Sequence, residues 1–436
     1  MSRLEELLQT LCPDGVVYKK LGDVSIIVRG ATYSKGDEVN SITGQKILRA
    51  NNISLTSNTI NFEDIKIISD AVKLSPNQKL RKDDILICTA SGSKDHIGKV
   101  AYIYDDLEYY FGGFMAVIRT KPIILSRFLF HLLIGNSFSN YLANTLNSTT
   151  INNLNSTILS GYLVPIPPLP VQEEIVRILD TFSGAVAELE QKLNAEQAAR
   201  VRQYEHYRNE LLSFDSKSKI MEKLLADYCP EGVEYKALGD IGTFFGGLTG
   251  KTKQDFQNGN KKFISYMNVY KNPAVDITAE DFVRIGNEER QNTVEYGDIL
   301  FTGSSETPEE CGISSVMIKQ PDEPFYLNSF TIGFRLHNPS LLDPEFSKHL
   351  FRSAELRSQI NKTANGVTRF NVSKSKLSGV VIPLPPLPMQ KEIVSILNRF
   401  DTLVNDLKSG LPAEIALRRK QYDYYRDKLL TFQPLK

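Results

Sequence analysis

The sequence predicts an α+β protein in which two tandem mixed α/β domains, rich in β-structure, are joined by two long antiparallel helices. Residues 7–24 match residues 224–241 at 11 of 18 positions, and residues 160–214 match residues 378–432 at 28 of 55 positions. The segments between these blocks have similar lengths but share few residues, and the longer blocks show the apolar spacing of helices. These three observations indicate an internal duplication.

The duplication also sets the boundaries of the predicted domains. Matched blocks indicate segments with the same role in both copies, whereas the divergent segments between them predict one fold with two different surfaces. The predicted segments are an opening segment, a first variable domain, a central repeated region with one long helix, a second variable domain and a closing repeated region with the other helix, at residues 1–21, 22–159, 160–238, 239–377 and 378–436 respectively.

Each variable domain is expected to contain short strands separated by polar turns. Runs such as DILICTA and FTIGFR are rich in β-branched and aromatic residues, and Gly, Asn, Asp and Ser separate them. An apolar helical stretch follows in each domain. The two domains share only scattered residues, among them Asn52 with Asn268 and Phe114 with Phe330.

The longer repeated blocks predict the two long helices, because their apolar residues recur three and four positions apart. An unbroken helix from Val171 to Phe214 would be about 66 Å long. Since one small domain does not need so long a stripe, the two stripes are expected to bury against each other. Separate packing of each helix on its own domain is the alternative. Pro412 is expected to break or kink the second helix, because proline cannot donate the helix-interior hydrogen bond.

A proline-rich step precedes both helices, as PIPPLP at 165–170 and PLPPLP at 383–388. Polyproline II ligands of an SH3-like partner have this composition. The identical placement in the two copies instead favours a rigid strap that sets the angle at which the chain leaves each domain.

The composition is that of an ordinary globular protein. Lys and Arg together number 51, as do Asp and Glu, so the formal net charge is zero. This balance excludes a strongly basic DNA-coating protein, although local basic patches remain compatible with it. No apolar run reaches the roughly 18 residues of a membrane span, and the charged start of the chain does not resemble a signal peptide. The four cysteines are far apart, which argues against a disulfide framework. A cytoplasmic location is therefore expected.

No catalytic or metal motif is complete. The segment 246–252 resembles a phosphate-binding P-loop but is one residue short, because Phe245 stands where the first glycine is needed. The segments 301–305 and 343–346 are near misses to the cofactor turn and the [DN]-P-P-[YF] motif of adenine methyltransferases. The five histidines lack metal-ligand spacing. The sequence thus predicts no active site, cofactor or metal of its own.

Taken together, these features resemble the specificity (S) subunits of type I restriction–modification enzymes. The resemblance covers essentially the whole chain. It rests on divergent domains that alternate with blocks of the form P-L-P-P-L-P-x-Q-x-E-I-V-x-I-L, which end in Q-Y-x-x-Y-R-x-x-L-L-x-F. The short block C-P-x-G-V-x-Y-K-x-L-G-D opens each copy.

The resemblance implies a function in DNA recognition. Each variable domain would be a target-recognition domain that reads one half of a bipartite double-stranded DNA target, and a pseudo-twofold would relate the two copies. The helices would form a coiled-coil spacer that sets the half-site distance and docks two adenine-methyltransferase (M) subunits and, through them, the restriction/translocase (R) subunits. S-adenosylmethionine, ATP and Mg are then expected only in the partner subunits.

The charge of the variable domains predicts weak DNA binding by the chain alone. Residues 22–159 contain 14 Lys and Arg against 12 Asp and Glu, and residues 239–377 contain 16 against 17. Since phosphate contacts dominate DNA affinity, the methyltransferase subunits are expected to supply much of the binding.

Base recognition requires Arg, Lys, Asn, Gln, Ser or Thr on loops that reach a groove, and four loops per copy have this composition. In the first domain the candidate DNA-binding residues are Arg29, Thr32, Tyr33, Lys35, Arg49, Asn51, Asn52, Ser91, Ser93, Lys94, Thr150 and Asn153. In the second domain they are Thr249, Lys251, Lys253, Asn268, Ser304, Ser305, Thr368, Arg369, Asn371 and Lys374.

Other interpretations of these loops remain open. Turn chemistry also explains single Ser, Thr and Asn residues. Arg49, Arg369, Lys94 and Lys251 are stronger candidates, because Arg and Lys contact guanine edges or phosphates, although ordinary solvated charges look the same in sequence. The alternative function is a duplicated coiled-coil scaffold that binds protein partners without touching DNA.

Overall fold

The computed structural model describes residues 2–39, 43–54, 57–91, 96–146, 153–215 and 218–435. It divides into two compact units. The first comprises Met1–Lys192 with Pro412–Lys436, and the second comprises Leu193–Leu411. Each of the two long helices contributes one part to either unit.

The first unit contains five short helices, nine strands and parts of both long helices. Its elements from the start of the chain to the first long helix are α1 (Arg3–Leu11), β1 (Val17–Lys20), α2 (Leu21–Val24), β2 (Ser25–Arg29), β3 (Gln45–Leu48), β4 (Lys66–Ile68), β5 (Ile85–Cys88), β6 (Val100–Tyr102), β7 (Tyr110–Phe111), β8 (Met115–Thr120), α3 (Ser126–Leu133), α4 (Asn136–Leu146), α5 (Ser156–Gly161), β9 (Leu163–Ile166) and α6 (Leu169–Leu211).

Strand β5 is an inner strand of the largest sheet in the first unit. A four-stranded antiparallel sheet has the order β2-β8-β5-β6, a three-stranded sheet has the order β4-β3-β7, and β1 pairs with β9. All four residues of β5 are buried, and they alternate between two cores because successive strand side chains point to opposite faces. Ile85 and Ile87 pack in the core that includes α3, whereas Leu86 and Cys88 pack with Leu48 of β3.

The second unit repeats this arrangement. Its elements are α7 (Lys219–Tyr228), β10 (Glu234–Ala237), α8 (Leu238–Ile241), β11 (Gly242–Gly246), β12 (Lys261–Ile264), α9 (Tyr266–Lys271), β13 (Phe282–Val283), β14 (Thr293–Val294), β15 (Ile299–Thr302), β16 (Ser304–Ser305), β17 (Ser314–Val316), β18 (Phe325–Leu327), β19 (Thr331–Leu336), α10 (Pro344–Leu350), α11 (Ala354–Asn361), β20 (Ala364–Asn365), β21 (Phe370–Val372), α12 (Lys374–Leu377), β22 (Val381–Leu384) and α13 (Leu387–Leu429), the second long helix.

The strand orders show the correspondence between the units. The second unit has four-stranded sheets β11-β19-β15-β17 and β13-β12-β18-β14, a three-stranded sheet β16-β21-β20 and the pair β10-β22. The sheet around β15 therefore has the same connectivity as the sheet around β5. The predicted α+β class with duplicated β-rich domains and long helices is confirmed.

A buried carboxylate precedes the central strand of each unit. Asp84 accepts hydrogen bonds from Nε and Nη2 of Arg119 at 2.8 and 2.9 Å, and Asp298 accepts the same pair from Arg335 at 2.8 and 2.6 Å. Both aspartates are almost fully buried. The shared D-I-L pattern is thus explained by an ion pair that joins the central strand to its neighbour.

The proline-rich steps form edge strands followed by a glutamine clamp. Pro165 lies opposite Tyr18 in the β1–β9 pair, and Pro383 lies opposite Tyr235 in the β10–β22 pair. This pairing supports the strap interpretation. In the second unit Gln390, fully buried, donates to the carbonyl oxygens of residues 341 and 385 and accepts from the Asp343 N–H. The clamp holds the start of the long helix, the strap and the start of α10 together.

Replacing Gln390 with methionine is expected to lower the free energy of unfolding of the second unit by at least about 2 kcal/mol, because buried backbone groups lose their partners. Urea unfolding followed by circular dichroism measures the change. Gln172→Met is expected to act alike in the first unit, where Gln172 makes the equivalent three bonds. The exposed Gln257→Met is the control. Equal stability of Q390M and Q257M would refute the clamp.

Both long helices contain 43 residues, and α13 continues through Pro412. The predicted break at this proline is therefore wrong, and the alternative of a kink stays a prediction. A proline in a helix interior costs about 3 kcal/mol, and contacts between the two long helices lie on both sides of it. On one side Phe400 stacks on Tyr207, and on the other Arg419 binds both carboxylate oxygens of Glu190.

The two long helices contact each other within each unit. In the first unit Phe182 stacks on Tyr422 with 5.8 Å between the ring centroids, and Glu190 pairs with Arg419. Along these contacts the residue numbers rise in α6 and fall in α13. In the second unit the rings of Tyr207 and Phe400 stack at 4.7 Å. Leu179 of α6 and Leu397 of α13 instead pack in the core of their own unit. Contact between the two helices and packing of each helix on its own domain therefore both occur.

A buried histidine joins each domain to the long helices. His349 of α10 bonds through Nε2 to Oδ1 of Asn398 at 2.8 Å and through Nδ1 to the Tyr204 hydroxyl at 2.9 Å. Because the amide oxygen only accepts, Nε2–H donates and the unprotonated Nδ1 accepts from the tyrosine. This arrangement suits the neutral ring. Burial, with the nearby Lys348 charge, lowers the pKa of His349 to about 4.

The second unit is expected to lose stability as the pH falls from about 6.5 toward 4. An unfolded histidine gains its proton near pH 6.5, whereas folded His349 resists it until about pH 4. The contribution is fully present above pH 6.5 and is on the order of 3 kcal/mol. Urea midpoints at several pH values measure it. H349Q is expected to flatten this dependence, whereas the exposed His206→Gln is expected to leave it unchanged. If the urea midpoint of H349Q depended on pH as steeply as that of the unsubstituted protein, a group other than His349 would cause the pH dependence.

Candidate nucleic-acid interface

Three predicted loops of the first domain meet at one cleft of about 890 Å³, here called the first cleft. They follow β2, β3 and β5, and the turn before β8 closes the remaining side. The predicted residues that line the first cleft are Arg29, Thr32, Tyr33, Lys35, Arg49, Asn51 and Ser91. Residues separated by more than sixty positions are thus brought together by the sheet order.

A close approach of two backbones forms the floor of the first cleft. Ala31 bridges to Gly112, and a Cβ atom at Gly30 would overlap the Gly112 carbonyl. In the second domain a Cβ atom at Gly247 would overlap the Asn328 carbonyl in the same way. Glycine is needed at both positions because no side chain fits between the opening strand and the turn.

The first cleft carries more positive than negative side chains. Arg29, Lys35 and Arg49 line it with Glu38. Arg49 is held by a 2.6 Å bond from Nη2 to Asp64, and its buried Nε finds no partner in the described part of the chain. The first cleft can therefore offer guanidinium and ammonium donors to phosphate or to base acceptors.

The second domain has a corresponding cleft of about 500 Å³, here called the second cleft. The predicted residues that line it are Ser304, Ser305, Thr368 and Arg369. The Arg369 guanidinium lies over the Phe330 ring at 5.6 Å and donates to the Ser304 hydroxyl at 3.2 Å. Arg369 is therefore a positioned donor at the rim of the second cleft.

The second cleft also contains an acceptor that the sequence did not single out. Glu310 accepts hydrogen bonds from Tyr270 at 2.7 Å and from Ser305 at 2.9 Å. These bonds lower the pKa of Glu310, the bond from Tyr270 contributing most. Glu306 lies in the same cleft. Ionised carboxylates accept from the amino group of cytosine. In the first cleft the Glu38 carboxylate is paired with Lys66 at 2.9 Å, so the two clefts offer different sets of donors and acceptors.

Two predicted asparagines have structural roles instead. Asn52 and Asn268 are buried, with 1% and 6% of their surface exposed. Asn52 donates to the carbonyl oxygens of Asn61 and Asp64, and Asn268 donates to the Asp276 carbonyl and accepts from its N–H. Their occurrence at matching positions reflects loop closure, so both predictions of a base contact are wrong.

Lys251 is also held within the protein. Its amino group contacts the Arg284 carbonyl and the Glu289 carboxylate, and only 9% of its side chain is exposed. Hydrogen bonds from the Gly286 N–H, and then from Lys251, lower the pKa of Glu289 to about 2. Lys251 is therefore a loop-closing ion pair rather than a free cation.

The remaining predicted residues do not line the two clefts. Thr249 binds the Gln291 side chain, Lys253 begins a short 3-10 helix, Lys374 begins α12, Asn371 lies in β21, and Asn153 bridges to Ala90. Ser93, Lys94 and Thr150 lie outside the described residues.

Sequence reasoning gave no role to two exposed rings at the clefts. Phe114 and Phe330 line the first and second cleft with 69% and 57% of their surface exposed. The sequence shows that the two phenylalanines occupy matching positions in the two copies. It does not show that their side chains are exposed.

The family model for the type I restriction modification DNA specificity domain matches residues 13–197 and again residues 230–417. These two matches cover most of the chain and coincide with its two copies. The chain belongs to the type I restriction–modification DNA specificity family.

Individual relatives agree with this membership. The chain is 34% identical over 281 residues to the EcoR124I/EcoR124II specificity subunit of Escherichia coli, a match that covers 62% of this chain and 63% of that protein. It is 26% identical over 412 residues to the EcoKI specificity subunit of Escherichia coli strain K12, covering 92% and 86%. Both relatives are named as specificity subunits of type I restriction enzymes.

Solved structures share the fold of this family member. A chain from a study of complex assembly and conformational transition of the type I R-M system aligns with a TM-score of 0.68 at 18% identity, covering 96% of this chain and 98% of that chain. The HsdS subunit from Thermoanaerobacter tengcongensis aligns with a TM-score of 0.55, also at 18% identity, covering 96% and 97%. At these identities the likeness concerns the fold alone.

Two further properties apply to the described part of this specificity subunit. No group of three or more His, Cys, Asp or Glu residues is placed to hold a metal ion there. None of the helices in that part is both long and apolar enough to span a bilayer.

Proposed function

We propose that this specificity subunit reads a bipartite double-stranded DNA target, with one half recognised at each cleft. The observation that supports this most directly is the pair of clefts at corresponding places with different side chains. The first presents Arg29, Lys35 and Arg49, whereas the second presents Arg369 beside Glu310. Different donor and acceptor sets select different bases. One duplicated fold would then serve two half-sites of unlike sequence.

We propose further that the paired long helices set the distance between half-sites. Their contacts run in opposite directions along α6 and α13 in the first unit, which is the geometry of an antiparallel spacer. The same helices would dock two adenine-methyltransferase (M) subunits and, through them, the restriction/translocase (R) subunits. S-adenosylmethionine, ATP and Mg would belong to those partners.

The decisive experiment is co-expression of this chain with its candidate methyltransferase in a host without DNA methylation. Single-molecule sequencing then maps N6-methyladenine. A split motif, with two defined halves around a fixed gap, is the expected result. Methylation that occurs without this chain, or that shows no split motif, would reject the proposal and favour a protein-binding scaffold.

The isolated chain is expected to bind its target DNA at least tenfold more weakly than the complex with methyltransferase subunits. The reason is the near balance of charges in each variable domain, which leaves few cations for phosphates. Fluorescence anisotropy at one fixed salt concentration, with a target duplex and a scrambled duplex, measures both affinities. Tight and sequence-specific binding by the chain alone would contradict this expectation.

A further inference from the structure

Each cleft presents one phenylalanine at the tip of a tight turn. Phe114 is the last residue before β8 and Phe330 is the last residue before β19. Exposure of 69% and 57% is costly for an aromatic ring, because burying such a side chain typically gains about 1.5–3 kcal/mol. Two exposed rings at matching positions in otherwise divergent domains therefore point to a shared contact outside the chain.

The backbone of both turns is firmly held. The Phe114 carbonyl accepts from the N–H groups of Thr89 and Ala90 at 2.8 and 3.1 Å and from the Thr89 hydroxyl at 2.9 Å. The Phe330 carbonyl accepts from the Gly303 N–H at 2.7 Å, and its own N–H donates to the Asn328 side chain at 2.9 Å. Each ring is thus presented on a rigid base, which lowers the entropic cost of inserting it into a partner.

The surroundings of the rings indicate a nucleic-acid partner. Phe114 lies among the polar and positive side chains of the first cleft, and the Arg369 guanidinium covers one face of Phe330. An exposed apolar ring beside hydrogen-bond donors is the arrangement with which proteins wedge into a base step while polar groups hold the backbone. In the second cleft the exposed Met267 adds a second apolar side chain near Phe330.

We propose that Phe114 and Phe330 are apolar wedges, each inserted against one base step of its half-site. This proposal rests on the bipartite reading proposed above and adds a specificity-determining contact to it. Insertion unstacks the step, and the cost depends on its sequence because pyrimidine–purine steps deform most easily. Each wedge thereby selects a deformable step without a hydrogen bond to either base.

The test uses the complex with methyltransferase subunits and duplexes carrying 2-aminopurine at successive positions of each half-site. Fluorescence of this base rises when it unstacks. The adenine to be methylated is left out of the series, because methyltransferases flip their target base. The wild-type complex is expected to raise fluorescence at one step in each half. F114A should abolish the signal in one half only, and F330A in the other half only.

Affinity provides the second readout. Base–aromatic stacking is worth about 1–3 kcal/mol per base, so F114A and F330A are each expected to weaken binding roughly tenfold to a hundredfold. F114Y and F330Y keep the ring and should retain the fluorescence signal, which separates loss of the wedge from misfolding. F62A and F282A are matched controls, since these phenylalanines are exposed but line neither cleft.

The outcomes separate the two proposals. If the complex methylates a split motif but no probe position responds, and F114A and F330A bind like F62A, the wedges are rejected while the bipartite reading stands. If no split motif exists, the bipartite reading itself fails. If the F114A substitution by itself abolished the fluorescence signal in both half-sites, the assignment of one ring to each half-site would also be rejected.

Discussion

Replacing residues 22–159 with the corresponding domain of another family member is expected to change one half of the methylated motif completely. The other half and the gap between the halves should stay the same. The physical reason is that all residues lining the first cleft lie within this segment, whereas the second cleft belongs entirely to residues 239–377. Mapping N6-methyladenine after co-expression with the methyltransferase measures the motif.

The structure indicates how the exchanged domain must join the helices. Arg127 and His131 of α3 both bond to Asp180 of α6, with distances of 2.9 and 2.8 Å. A chimera that lacks these two side chains would leave Asp180 without its partners and confound recognition with stability. Arg127 and His131 should therefore be kept in the incoming domain.

The reciprocal exchange is the matched control. Replacing residues 239–377 should alter the other half of the motif, provided that Lys348 and His349, which contact Asn398, are retained. A change in both halves after either exchange would contradict independent reading. A change in the gap alone would instead assign this domain to the spacing.

Arg335→Met is expected to lower the free energy of unfolding of the second unit by about 3–5 kcal/mol, because it leaves the Asp298 carboxylate buried without its partner. Only 1% of the Asp298 side chain is exposed, and both of its oxygens bond to Arg335. Burial already raises the pKa of Asp298, so the unpaired carboxyl should take up a proton more readily. Hydrogen exchange of the β15 and β19 amides measures the loss of protection.

Companion variants separate the ion pair from general damage. The double variant R335M/D298L removes both charges and is expected to recover much of the stability, since replacing a buried pair by apolar residues is often neutral. Exposed Arg290→Met should change little. If R335M and R290M have equal stability, the buried pair does not support the sheet. Arg119→Met should reproduce the loss in the first unit, through Asp84.

The loops show where sequence reasoning succeeded and where it failed. Their composition placed Arg29, Arg49 and Ser91 in one candidate set, and the structure brings all three to the first cleft. The same reasoning included Asn52 and Lys251, whose side chains are used within the protein. A loop sequence shows which polar groups are available but not which of them the fold itself uses.

At Pro412 and at the two exposed phenylalanines, the structure differs from what the residue type alone predicts. Proline predicts a break from local chemistry alone, yet α13 is continuous through Pro412. Phenylalanine predicts burial from local chemistry alone, yet Phe114 and Phe330 lie exposed on their turns. The contacts that flank Pro412 and the bonds that hold the turn of Phe114 come from residues distant in the sequence.

The sequence by itself determined the duplication, the order of variable domains and long helices, and the family resemblance that comparison confirmed. These features follow from identity at a constant offset and from apolar spacing, which depend only on near neighbours along the chain. Only the tertiary structure decided which polar side chains line the clefts, which are locked in ion pairs and which rings stay exposed. Those properties depend on burial and pairing between residues far apart in sequence, because a carboxylate or carbonyl contributed by another strand determines whether a donor remains available.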